Sequence, residues 1–235
     1  MTRALDWSDV LIKRFWNYYS NYPELYFTYQ YGNNIVNQFS DHFNSNCKIL
    51  DYGCGTGFLI EHLLKHPVDV FGTDVSEDTV EFVNKKYNTI ENFKGAFLLN
   101  ELIQTETKFD ILFVVEVIEH LTEEHLVQLI KNIKHLLNAN GKVIFTTPNN
   151  EKLADSIVYC PNCEHTFHRW QHIRSWTSES LSSFLNENGM NVSFSKSLNF
   201  TIPTQRTIKA KLRSLLNRGS NLSKNPHLAA VCSKG

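Results

Sequence analysis

Apolar residues along this chain switch between two spacings. Near-continuous apolar runs at Lys48–Tyr52, Val68–Thr73, Phe93–Leu99, Phe109–Val115 and Lys142–Thr147 read as buried strands. Between them, Leu59–Lys65, Asp78–Tyr87 and Glu123–Leu137 carry apolar residues three and four apart, the spacing of a helix face. The clearest face holds Leu126, Leu129, Ile130, Ile133 and Leu137, with Asn140-Gly141 as its stop. Strand and helix in alternation predict an α/β fold, a parallel sheet with helices on both faces. Further on, Thr177–Asn188 reads as a helix capped by Gly189, and Val192–Phe200 and His227–Ser233 as two last strands around a basic helical insertion, 204–218. Residues 5–43 are a helical lead-in rich in Trp and Tyr, either packed on the sheet or lying over a ligand as a lid.

Within that pattern, Ile49-Leu50-Asp51-Tyr52-Gly53-Cys54-Gly55-Thr56-Gly57-Phe58 runs from a strand through three alternate glycines into a helix. Residues without Cβ let backbone N–H groups approach a ligand closely. The dinucleotide fingerprint needs its third glycine one position later, where Phe58 stands. Ligands of open α/β sheets sit at the carboxyl ends of the strands. The second strand ends at Asp74, whose carboxylate can accept hydrogen bonds from both ribose hydroxyls, and the third ends near Asn100, which could read an adenine edge. NAD enzymes use the same acidic device, so Asp74 alone points only to a nucleoside.

The loop, Asp74, the run Phe109–Leu121 and the run Asn140–Asn149 resemble, in order and spacing, the motifs of class I S-adenosylmethionine (SAM) dependent methyltransferases over roughly residues 45–150. That resemblance implies a Rossmann-like fold with a seven-stranded, mostly parallel sheet, a closing hairpin with one antiparallel strand, and an N-terminal helical lid. It implies SAM as cofactor, held by Asp51, Gly53, Cys54, Gly55, Gly57, Phe58, Asp74, Val75, Asn100 and Glu116, with Tyr29 and Gln30 from the lid. The expected organisation is one domain, 1–235, divided into lid (1–44), SAM-binding core (45–150) and acceptor side with closing strands (151–235).

Glu116, Glu119 and His120 stand at i, i+3 and i+4, so a helical turn after the fourth strand would aim all three at one point. Two carboxylates and an imidazole at one point call for a cation between them. Mixed oxygen and nitrogen donors suit Mn²⁺ or Mg²⁺, and the imidazole favours Mn²⁺. The alternative is an acceptor pocket lined by these groups without metal. Downstream, Phe167–Thr177 is similar to a segment of the metal-dependent small-RNA 3′-terminal 2′-O-methyltransferases, in which a His precedes a Trp-Thr pair by four residues. This resemblance implies His172 as the fourth ligand, with His168 as runner-up. It departs from that family at Gln171 and Ser175, where acidic residues are expected, which bears on the RNA substrate more than on the metal. The implied chemistry is in-line methyl transfer to an acceptor oxygen, with Glu116, His120 and His172 as catalytic residues and His172 able to take the proton. Cys160-Pro161-Asn162-Cys163 is half of a zinc site at most, and reads first as a structural turn.

Composition narrows the partners. At 235 residues, 42% apolar and with a net charge of −1, the chain is an ordinary globular protein rather than one built wholly around nucleic acid. After Glu187 there are no acids and eight basic residues, a solvated face or a patch for an anionic acceptor. No secretory apolar core and no membrane-length run is visible, and an odd count of five cysteines fits a reducing cytoplasm. Residues 151–190 also resemble methyltransferases of polysaccharide loci. The expected function is therefore O-methylation of a small polar or anionic metabolite, or of a capsule or lipopolysaccharide precursor. RNA 2′-O-methylation and a non-catalytic SAM-binding role are the alternatives, and the oligomeric state stays open.

Overall fold

The computed structural model of the protein describes residues 3–202 and 225–235. A two-residue strand, β1 (Arg3–Ala4), leads into α1 (Asp9–Tyr19) and α2 (Phe27–Phe39). Strand and helix then alternate through β2 (Lys48–Tyr52), α3 (Phe58–Leu63), β3 (Asp69–Asp74), α4 (Glu77–Tyr87) and β4 (Phe93–Leu98). The single-turn α5 (Leu99–Leu102), β5 (Phe109–Val115), α6 (Glu123–Leu136) and β6 (Leu137–Pro148) continue the series. After a short hairpin, β7 (Ile157–Tyr159) and β8 (His165–His168), come α7 (Ser178–Glu187), β9 (Met190–Leu198) and β10 (His227–Lys234). The basic insertion 204–218 lies outside the described residues.

The main sheet has seven strands in the order β4-β3-β2-β5-β6-β10-β9. Its first five are parallel, and β10 runs antiparallel to both β6 and β9. Alternation along the strands sends side chains to opposite faces. Ile49, Ile111 and Phe113 pack with Ile35, Ile60 and Val83 of α2, α3 and α4. Leu50, Leu112 and Val114 pack with Leu126 and Ile130 of α6 and Leu181 and Leu185 of α7. Each such fully buried side chain stabilises the fold by about 1.5–3 kcal/mol, which makes the sheet a rigid platform for the loops at its carboxyl edge.

Three details go beyond the sequence pattern. The helix α6 ends before Asn140-Gly141, because Leu137 already has extended backbone (φ −78°, ψ 140°). In the β5–β6 pair Phe109 faces Leu137 and Ile111 faces Lys142, so 138–141 bulge outward, and Asn138 Nδ2 donates to Asp110 Oδ1 at 2.6 Å. Asn100 lies on the single turn α5 that follows β4 directly, with its own side chain exposed. Finally, a second sheet, β1-β8-β7, joins the N-terminus to the segment after β6, with Arg3 opposite His165 and Ala4 opposite Thr166. Strands this short leave no readable alternation in sequence. Their consequence is that the N-terminus and the segment after β6 are tied together. Among the described residues no helix is long and apolar enough to cross a membrane.

Candidate active site

The glycine loop joins β2 to α3 at the carboxyl edge of the sheet. Gly53, Gly55 and Gly57 all have positive φ (76°, 48° and 77°), which L-residues with side chains rarely adopt. Several amides are consumed internally: Gly53 and Cys54 N–H donate to Thr73 O, Gly57 N–H to Cys54 O, and Gly55 N–H to Asp74 Oδ2 at 3.1 Å. At these positions the loop therefore offers a ligand open surface more than free donors. Asp74 also accepts from Ser76 N–H through Oδ1 at 3.0 Å, leaving lone pairs on both oxygens. Burial raises its pKa, while the backbone N–H groups pull it back. Asp51 and Cys54 are buried under the loop, and burial together with the charge of Asp74 pushes Asp51 up to about 8.

Phe58 opens α3 and meets Tyr29 edge-on at 5.0 Å, so α2 touches the residue that follows the loop. Tyr29 and Val75 are both exposed, Val75 by 81%. Gln30 is also exposed and donates to Glu24 O. Tyr26, one of the aromatic residues of the lead-in, lies over the loop: a Cβ on Gly55 would meet Tyr26 Cε1 at 3.8 Å. Burial and the nearby Asp74 push the Tyr26 hydroxyl up to about 12.

After β5 the chain makes a tight turn rather than a helix, with Glu116 at φ 52° and His120 N–H donating to Val117 O. The turn still brings Glu119 and His120 together, and His172 joins them; one ligand atom from each lies within 4.8 Å of the others. Glu116 lies outside that group, with Oε1 accepting from Thr146 Oγ1 at 2.9 Å. Glu119 is buried; its Oε2 accepts from Thr147 Oγ1, and its Oε1 has no hydrogen-bond partner. A buried carboxylate oxygen left unpaired is costly, and a cation satisfies it. The electrostatics agree. Burial, then the neighbouring Glu116, raises Glu119 well above the carboxylate range, while burial lifts Glu116 to about 7. Burial and His172 lower His120 to about 3. Glu119 and His120 are thus both pushed toward their neutral forms, and the donor set of one carboxylate and two imidazoles fits a divalent ion.

Residues 168–174 form a strap sewn onto this turn. Ile173 N–H donates to Glu119 O, Arg174 Nε to Leu121 O, and Gln171 Nε2 to His120 O. From the lid, Trp16 Nε1 donates to Gln171 Oε1 at 3.1 Å and the indole meets the His120 ring edge-on at 5.0 Å. A second group, Glu151, His168 and His172, shares His172 with the first. Glu151 was missed from sequence. Its only local signal is its place just after the Pro148-Asn149-Asn150 turn, where Asn150 (φ 50°) donates its N–H to Trp176 O and so sets Glu151 beside the strap. Cys160 and Cys163 sit in the β7–β8 turn, and among the described residues neither belongs to a group of three potential ligands.

A family profile described as "Methyltransferase domain" matches residues 25–193. The chain belongs to the methyltransferase-domain family. Among curated relatives of this methyltransferase, it is similar to the ubiquinone biosynthesis O-methyltransferase of Coxiella burnetii (strain RSA 493 / Nine Mile phase I), at 33% identity over 104 residues, 43% of either chain. The match thus spans less than half of that relative. A SAM-dependent methyltransferase from Clostridium acetobutylicum ATCC 824 superposes with a TM-score of 0.62 at 13% identity, covering 95% of this chain and 99% of that one. The glycopeptide N-methyltransferase MtfA, in complex with SAM, superposes at 0.63 and 12% identity over 87% of each chain. At such identities the structural likeness concerns the fold, which is the class I fold implied by the glycine loop.

Proposed function

We propose that this protein transfers the SAM methyl group to an oxygen of a small polar or anionic metabolite, or of a surface-glycan precursor. A divalent cation, Mn²⁺ or Mg²⁺, assists at Glu119, His120 and His172. The observation that carries the reading is the convergence of two imidazoles and one carboxylate oxygen without a hydrogen bond, at the turn whose Val117 lies against Gly53. An oxygen acceptor suits a hard divalent ion, and the similar curated relatives are named O-methyltransferases.

Bound there, the cation would supply Lewis acidity toward an acceptor hydroxyl and lower its pKa. The remaining work falls to the chain itself. Asp74 holds the ribose and the open face of the loop admits the rest of the nucleoside. Glu116, with a pKa near 7, can take the acceptor proton on the oxygen not engaged by Thr146. Trp16 and Tyr26 cover the two halves of the site, which keeps water from the sulfonium carbon.

Two measurements test this. S-adenosylhomocysteine (SAH) at a hundredfold excess over its Kd should stabilise the protein by about 2.7 kcal/mol; no gain in Tm removes the methyltransferase reading. With an acceptor identified from a panel of hydroxylated metabolites and sugars, EDTA should abolish transfer and Mn²⁺ restore it. Full turnover after EDTA, or in Glu119→Gln, removes the metal. Strongly salt-dependent competition by RNA 3′ ends would move the substrate to RNA.

A further inference from the structure

We infer that Glu151 is the positioning residue of the metal site: it holds His172 in the tautomer that presents Nε2 to the ion, and His168 is its second anchor rather than a ligand. The inference rests on the proposed metal reading and deepens it. It follows from where the ring protons must be.

His168 Nδ1 lies 3.2 Å from the backbone N–H of Trp170 and 3.2 Å from that of His172. Both are donors, so this nitrogen carries the lone pair and Nε2 carries the hydrogen. That Nε2–H faces Glu151 Oε1 at 3.3 Å, within ion-pair range though poorly angled for a hydrogen bond. Ligation through Nε2 would require moving the proton to Nδ1, against two N–H groups. His168 is therefore a poor ligand in this backbone.

His172 is disposed the other way. Its Nδ1 lies 2.6 Å from Glu151 Oε2, so the ring donates Nδ1–H to the carboxylate and leaves Nε2 unprotonated. His120 repeats the arrangement, with Nδ1 3.4 Å from the carbonyl oxygen of Gln171. Both imidazoles thus offer Nε2 and are anchored through Nδ1, as metal-binding histidines are when a carboxylate or carbonyl fixes the ring. The His168 and His172 rings stack at 4.5 Å and 17°, so one carboxylate orients two parallel imidazoles.

Long-range ¹H–¹⁵N NMR of the metal-free protein, with calorimetric titration of Mn²⁺, tests the assignment. In the wild type His172 should be the Nδ1–H tautomer and His168 the Nε2–H tautomer. Glu151→Ala should release His172 into a tautomer mixture and weaken Mn²⁺ binding about 10–100-fold, while Glu151→Gln, whose amide oxygen still accepts, should lose less. SAH affinity, read on the same samples, should stay unchanged and report an intact fold. Unchanged tautomer in Glu151→Ala, or His172 protonated on Nε2 in the wild type, overturns the inference. A wild type that binds no Mn²⁺ overturns the metal reading instead, and the tautomers then still decide what Glu151 does.

Discussion

Alanine at two neighbouring glycines should separate what holds the cofactor loop from what leaves room in it. Gly57 has φ 77°, and a Cβ there would lie 2.9 Å from Tyr87 Cε2 and 3.2 Å from Val83 Cγ2. Left-handed backbone costs a residue with a side chain about 1–2 kcal/mol, and overpacking adds about 1–3 kcal/mol. Tyr87 cannot simply swing aside, since its hydroxyl donates to Gly57 O at 2.8 Å. Gly57→Ala should therefore lose about 2–5 kcal/mol, a fall in Tm of about 4–20 °C at about 2–4 °C per kcal/mol for a chain of this size. Gly55 has φ 48°, yet its Cβ would meet only Tyr26 Cε1, at an ordinary 3.8 Å. Gly55→Ala should cost only about 1–2 kcal/mol of stability, while its methyl enters space the ligand needs and weakens SAH by about 5–150-fold. Thermal melts of the unliganded variants and calorimetric titration with SAH read the two effects. A Gly57→Ala protein as stable as wild type, or a Gly55→Ala protein that binds SAH normally, would refute the division.

Three further changes probe the site's charges and hydrogen bonds. Asp74→Asn removes a charged acceptor from the ribose and should weaken SAH by about 10–150-fold by titration; because its amide nitrogen must also face the N–H of Gly55 or Ser76, the unliganded protein should lose about 1–3 kcal/mol. Asp51, pushed up from 3.8 to about 8, keeps a proton in the folded state that the unfolded chain has released. Its contribution is fully present below pH 3.8 and is lost as pH rises toward about 8, by up to about 1.4 kcal/mol per unit. Urea denaturation across that range should show Asp51→Asn flattening the decline; an unchanged slope would assign it elsewhere. Gln171→Glu replaces the donor facing His120 O and should cost about 1–3 kcal/mol in the same denaturation, whereas a variant of wild-type stability would show that bond to be dispensable.

Most of the sheet was legible because its strands are long, buried and apolar on both faces, and the helices between them carry a clear 3.6-residue period. Lys48–Tyr52 and Phe109–Val115 fall where the pattern puts them, and the antiparallel β10 followed from family resemblance rather than from periodicity. The site was only partly legible. Glu119, His120 and His172 come together as expected, but through a turn set by the positive φ of Glu116, which no spacing argument foresees. Glu151 and Trp16 lie far from these residues in sequence, and only long-range contacts made through the second sheet and the strap bring them in. A lone glutamate after a turn carries no signal of its tertiary partner.

The departure at position 171 makes physical sense once those contacts are seen. Gln171 is fully buried at φ 61°, a backbone conformation that costs a non-glycine residue about 1–2 kcal/mol. It is over-determined by three bonds that run in different senses. Its backbone oxygen faces His120 Nδ1, its side-chain Nε2 donates to His120 O, and its Oε1 accepts from Trp16 of the lid. A carboxylate could serve the indole but would set an acceptor against the His120 carbonyl, and its charge would be buried without a partner. An amide satisfies both neighbours at once. Position 171 therefore ties α1, the turn after β5 and the strap into one arrangement through a single side chain. An acidic residue at position 171 would be incompatible with the arrangement found in this chain.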